Sequence, residues 1–211
     1  MTFLKLANVG WVALFAAMAG SASNACSNTP PPPEQAFVAG DIGPGNMDGI
    51  NDSAACGQGD LTWTLGNAVS PSPVLYANGS TQVGAGTVQV NCSVDQSGNG
   101  FNVQLAAELQ GQLGGTIFVS GVVNATGDTT GGLSGSFSTM GQTFIDHNCS
   151  FTQTYNNSPL PNGGMPASGR IWGHIDCPHA QSADQEGLGA DGGQITRTCD
   201  ARADVLFQNC N

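Results

Sequence analysis

Three groups of residues in this sequence are of types and spacings that do chemistry. His174, Asp176 and His179 lie close together, with His147 apart from them. On a strand through residues 169–177, side chains two apart share a face, so Trp172, His174 and Asp176 are expected side by side. An imidazole beside a carboxylate can ligate a divalent metal when further ligands complete the set and hydrogen bonds orient it. The second group is Asn46-Met47-Asp48-Gly49-Ile50-Asn51-Asp52, where Asn46, Asp48 and Asp52 present oxygens at alternate positions around a glycine turn. Those are the hard oxygen donors that calcium prefers, and the ion would act there as a structural clip. The third group is Trp63 and Trp172, rings that could stack on a sugar if a sheet face exposes them. Each has a plainer reading: a polar strand face, a turn-rich tether, and two rings needed by the core. No cofactor is therefore required, and calcium is the one candidate.

Nucleophilic catalysis has less support. The sequence lacks a Gly-x-Ser-x-Gly elbow, and Ser134 and Ser136 belong to a Gly/Ser-rich strand pattern. Glu108, Asp146, Asp176 and Asp204 are available as acids, but no spacing selects a pair of them. The expectation is a protein without a catalytic site. Nucleic acid is excluded as a partner by charge, because Lys+Arg number 4 against 15 Asp+Glu. With only 9% charged residues, the chain is also not a long helical protein.

The elements that must position these residues read as strands. Val88, Val90, Cys92 and Val94 alternate with Gln89, Asn91 and Ser93, and Phe101, Val103, Leu105, Ala107 and Leu109 continue the period after a turn at residues 95–100. Further strands are expected at 117–123, 133–139, 143–154, 168–177, 193–198 and 201–208, separated by Gly, Asn, Ser and Thr. Residues 155–167 and 178–192 read as exposed loops. The fold class is all-β, an antiparallel β-sandwich or open barrel.

The N-terminus carries an address. Lys5 precedes an apolar run from Val9 to Ala22, and Ser23-Asn24-Ala25 follows with small residues, the order of a secretory signal peptide. The run is shorter than the ~20 residues needed to cross a bilayer. Cys26 comes next, then Pro30 to Pro33, which favour an extended spacer. This arrangement resembles bacterial lipoproteins, in which the Cys is acylated, although Ser23 stands where a larger apolar residue is usual. The expected organisation is a signal peptide at 1–25, a Pro/Gly-rich tether and loop at 26–60, and a single domain at 61–211. Without the signal, three arginines face 15 acids.

Seven cysteines are an odd number for an exported chain. Assigning Cys26 to lipidation leaves Cys56, Cys92, Cys149, Cys177, Cys199 and Cys210 as disulfide candidates, which staple the domain. Spacing does not choose among their pairings; a local Cys177–Cys199 bridge across the loop between them is the simplest.

The blocks Gly169-Arg170-Ile171-Trp172-Gly173-His174-Ile175-Asp176-Cys177-Pro178 and Cys199 to Cys210, with Val90-Asn91-Cys92-Ser93-Val94 and Asp146-His147-Asn148-Cys149, are similar to secreted, Cys-containing lipoproteins of myxobacteria and relatives. That resemblance covers roughly residues 60–211 and implies an exported β-rich domain without implying a chemistry. The functional expectation is an exported, lipid-anchored bacterial envelope protein with a structural or interaction role. It would sit in the outer membrane or at the cell surface, otherwise in the periplasm or medium. Its partners would be the membrane through the anchor and a glycan or protein ligand. The alternatives are a secreted carbohydrate-binding or adhesion module and an envelope hydrolase.

Overall fold

In the computed structural model the described residues are 30–44, 46–47, 50–51, 61–69, 72–111, 114–160, 164–182 and 198–211, and every regular element among them is a strand. The strands are β1 (Gln35–Gly43), β2 (Asn46–Met47), β3 (Ile50–Asn51), β4 (Leu61–Leu65), β5 (Tyr76–Ala77), β6 (Thr81–Gln82), β7 (Gly86–Ser97), β8 (Gly100–Leu109), β9 (Gly115–Asn124), β10 (Thr129–Thr139), β11 (Gln142–Thr152), β12 (Thr154–Tyr155), β13 (Ser158–Pro159), β14 (Arg170–Ser182) and β15 (Thr198–Gln208). The chain divides into two units, Met1–Pro31 and Pro32–Asn211, and these strands all belong to the second. The signal, Cys26 and Cys56 lie outside the described residues.

One antiparallel sheet, ordered β4-β1-β15-β14-β11-β10-β9-β8-β7-β6 with β5 on β1, curls into a nearly closed barrel. Period-two alternation drives the curl, because every long strand has one apolar face to bury. Val88, Val90, Val94, Val103, Leu105, Ile117, Val119, Leu133, Phe137, Phe144, Phe151, Ile175, Ala203 and Val205 all point into one core. Outward positions carry Gln89, Asn91, Asn102 and Gln104. A membrane-spanning barrel has the reverse pattern, with an apolar band outside.

The seam between the two sheet edges is sewn by side chains and by sulfur. Gln82 accepts from the Gly66 amide through Oε1 (2.7 Å) and donates through Nε2 to the Thr64 carbonyl (3.0 Å). At the other end, Cys92 on β7 is bonded to Cys210, just past β15. The Asn211 and Gly169 amides donate to the Cys92 and Val94 carbonyls, at 3.0 and 2.9 Å.

Cys149 on β11 and Cys177 on β14 form a second bridge across adjacent strands, Cα–Cα 4.3 Å. This corrects the expected Cys177–Cys199 pairing. The β11–β14 register pairs Ser150 with Asp176, which puts Cys149 opposite Cys177, whereas Cys199 sits opposite Ala180, beyond a bulge. Cys199 is disulfide-bonded too. Such staples are consistent with an exported, non-cytoplasmic protein.

Two further expectations change. Gln35–Gly43, read as tether, is a strand buried between β15 and β4, so the domain begins near residue 32 rather than 61. Its glycines at 40 and 43 disguise the pattern, and Gly40 is there because Trp63 packs on it: a Cβ would fall 2.5 Å from the Trp63 ring nitrogen. The loop expected from residue 178 is instead strand as far as Ser182, carried past Pro178 by the bulge between Cys177 and Ala180.

Candidate functional site

The outer face of β1, β15 and β14 is built in rungs. Asp204 lies between His174 and Ala39, and one rung along Arg202 lies between Asp176 and Asp41. Next comes Asp200, opposite Gly43 and beside the Pro178 bulge. Trp172, His174 and Asp176 do share this face, as their spacing predicts. The partner that engages His174, however, is on the neighbouring strand.

His174 Nδ1 is 2.8 Å from Asp204 Oδ1, and the other carboxylate oxygen accepts from the Asn156 amide at 3.2 Å. Asp204 thereby holds the imidazole through Nδ1, at the edge of an adjacent hollow. That hollow has a volume near 210 Å³ and is lined by His174, Asp204, Asp41, Arg202, Asn156 and Asn157 with two alanines. Asn156 and Asn157 hold positive φ (49° and 57°), a conformation asparagine tolerates in tight turns. The lining supplies a base, a guanidinium and carboxylates, and no hydroxyl or thiol among the described residues. An oriented His–Asp pair can accept a proton, but acyl transfer also needs a nucleophile beside it.

The acids cluster around one cation. Arg202 Nη2 lies 3.4 Å from Asp41 Oδ2, and its Nε lies 3.6 Å from Asp200 Oδ2. Burial pushes the Asp200 carboxyl up to about 6; Arg202 opposes the shift, while the charge and hydrogen bond of Asp176 and the charge of Asp41 add to it. No group of three or more His, Cys, Asp or Glu side chains able to hold a metal occurs among the described residues. Asn46 and Asn51 pair backbone to backbone across β2 and β3, while Asp48 and Asp52 lie outside the described residues.

Neither tryptophan offers a ring face to solvent. Trp63 is 3% exposed, wedged between Gly40 and Gly115 inside the barrel. Trp172 is 5% exposed, although it points outward. It packs with Phe37, Tyr155 and Leu206, and Arg170 lies 5.9 Å from its ring centroid. Tyr155 comes from the small β12–β13 hairpin, so a secondary apolar cluster occupies the ring that the sequence offers for stacking.

Asp146, one acid among several in the sequence, has a structural role that its spacing does not announce. It is 6% exposed, and its carboxylate accepts from the Asn148 amide (2.8 Å) and the His179 amide (3.0 Å). These amides belong to the irregular stretches of β11 and β14 that flank the Cys149–Cys177 bridge. The signal was an acid three residues before a cysteine in a strand. No protein-family model, curated protein or solved structure matches this chain.

Proposed function

We propose that this chain is an exported bacterial envelope lipoprotein, acylated at Cys26, whose barrel serves in interaction rather than catalysis. The observation that carries the reading is how the chain enters the barrel. Asn209 Nδ2 donates to the Pro33 carbonyl (3.0 Å), Asn211 Nδ2 to Glu34 Oε1 (3.1 Å), and the Asn78 amide to the Glu34 carbonyl (2.9 Å). The same C-terminal segment is cross-linked to β7 through Cys92–Cys210. The end of the proline run is therefore gripped where the barrel is covalently closed. A domain hung from its N-terminus needs its attachment point to resist fraying, and termini fray unless tied down. The parity of the cysteines once Cys26 is set aside supports the same reading.

Cell fractionation tests it. The wild-type chain should sediment with membranes, and Cys26→Ser should release it into the soluble exported fraction. Wild-type protein that is soluble, or a Cys26→Ser variant that stays membrane-bound after a high-salt wash, would overturn the proposal.

A further inference from the structure

The outer face of β7 to β11 is a second surface, separate from the His174 hollow. Register places its side chains in a grid. One row is Gln89, Glu108, Thr116, Ser138 and Thr143; the next is Asn91, Ala106, Phe118, Ser136 and Ile145. A third runs Ser93, Gln104, Ser120 and Ser134, and the last is Asp95, Asn102 and Val122. With strands about 4.8 Å apart and same-face residues about 6.8 Å apart, the grid measures roughly 19 by 20 Å.

Phe118 occupies the centre of this grid and is 47% exposed. Its cross-strand neighbours are Ala106 and Ser136, too short to cover a ring. Amides lie to one side of it, where Gln89 and Asn91 on β7 and Asn102 and Gln104 on β8 are all exposed, and the serines of β10 lie on the other. Beside it is a hollow of about 290 Å³ whose lining includes Asn78, Gln89, Asn91, Ala106, Glu108 and Thr116. Asn78 is held in place there, its Oδ1 accepting from the Val90 amide at 3.1 Å.

We propose that this face binds a neutral polysaccharide, with Phe118 as the stacking ring and the hollow as an adjacent sugar subsite. The chemistry selects the ligand class. A sugar ring presents C–H groups to an aromatic face and hydroxyls at its rim. Carboxamides answer those hydroxyls as donor and acceptor at once. The grid contains no Lys or Arg, and its formal charges are Glu108 and Asp95, so an anionic glycan meets repulsion. Protein interfaces concentrate several aromatics and Arg at their cores, whereas this face has one aromatic ring among amides and hydroxyls, with Val122 and Ile145 toward its margins.

Affinity electrophoresis of the purified full mature chain through gels containing soluble starch, a β-1,3-glucan, a mannan, a galactan or alginate tests the proposal. At least one neutral polysaccharide should retard the protein and alginate should not. Phe118→Ala should weaken the effective neutral ligand at least tenfold, and Phe118→Tyr should retain it. Because about half of the side chain is exposed, the Ala variant should remain folded, its melting temperature lowered by no more than about 5 °C. A Val83→Ser change in the loop after β6, where Val83 is 93% exposed, should leave binding unaltered. Retardation by none of the neutral polymers, retardation by alginate alone, or equal binding by Phe118→Ala would overturn the proposal.

Discussion

Asp200→Asn separates two roles for the acidic rungs around Arg202. The folded carboxyl of Asp200 titrates near 6, raised by burial and by Asp176 and Asp41, against an ordinary value of 3.8. Between those two pH values the folded chain holds a proton that the unfolded chain has released. Stability therefore falls as pH rises through the window, and the loss is complete above about pH 6. Two pH units correspond to a ceiling of ~3 kcal/mol. The site is partly open to solvent, so screening reduces this to about 1–2 kcal/mol. Asparagine cannot ionise, and it keeps an acceptor and adds a donor toward Asp176. Its cost is the long 3.6 Å contact to Arg202 Nε, worth at most about 0.5 kcal/mol because Arg202 is substantially exposed and keeps Asp41. The variant should match wild type near pH 4 and exceed it by about 1–2 kcal/mol at pH 7.5. In a domain of this size that is a melting shift of roughly 2–8 °C. Urea titrations at pH 4 to 8 would measure it, urea being chosen because a guanidinium salt would screen the charges. A variant less stable than wild type at pH 7.5, with an unchanged slope between pH 4 and 6, would instead make Asp200 an ionised partner of Arg202.

Gly135→Ala should destabilise the barrel by about 1–3 kcal/mol, read as a lower urea midpoint, because its Cβ would lie 2.8 Å from both Cys149 Sγ and Cys177 Sγ. Asp146→Ala should cost about 2–4 kcal/mol by orphaning the Asn148 and His179 amides, and hydrogen exchange should quicken in both stretches. Replacing Cys92 and Cys210 by Ser removes a cross-link spanning 118 residues, worth up to about 5 kcal/mol by loop entropy, and exchange should quicken along β7 and residues 209–211.

The sheet was legible in the sequence wherever one face met the core and the other met water. β7 and β8 read cleanly because Val, Leu and Phe alternate there with Asn and Gln. β1 did not, because Phe37 and Ala39 face the covered side of the sheet and pack in or against the outer apolar cluster, so both faces are apolar and Gly40 yields its side-chain space to Trp63. The disulfides depended on register that no spacing encodes: Cys149 and Cys177 meet because β11 and β14 are neighbours. The same holds for the candidate sites. His174 and Asp176 were visible as a strand face, but Asp204 joins His174 only through pairing with β15. Phe118 was hidden inside an apolar run from Ile117 to Val123. The exposure of that run's outer face follows from closure of the barrel and from the small residues beside it.

The proposal places the barrel outside the cytoplasm, held by a lipid on Cys26. Intact-mass and peptide mass spectrometry of protein extracted from membranes reads both the cleavage site and the modification. The expected product is a mature chain beginning at Cys26 that carries acyl groups on that residue. A chain retaining Met1, or one whose N-terminal peptide carries an unmodified Cys26, would contradict it.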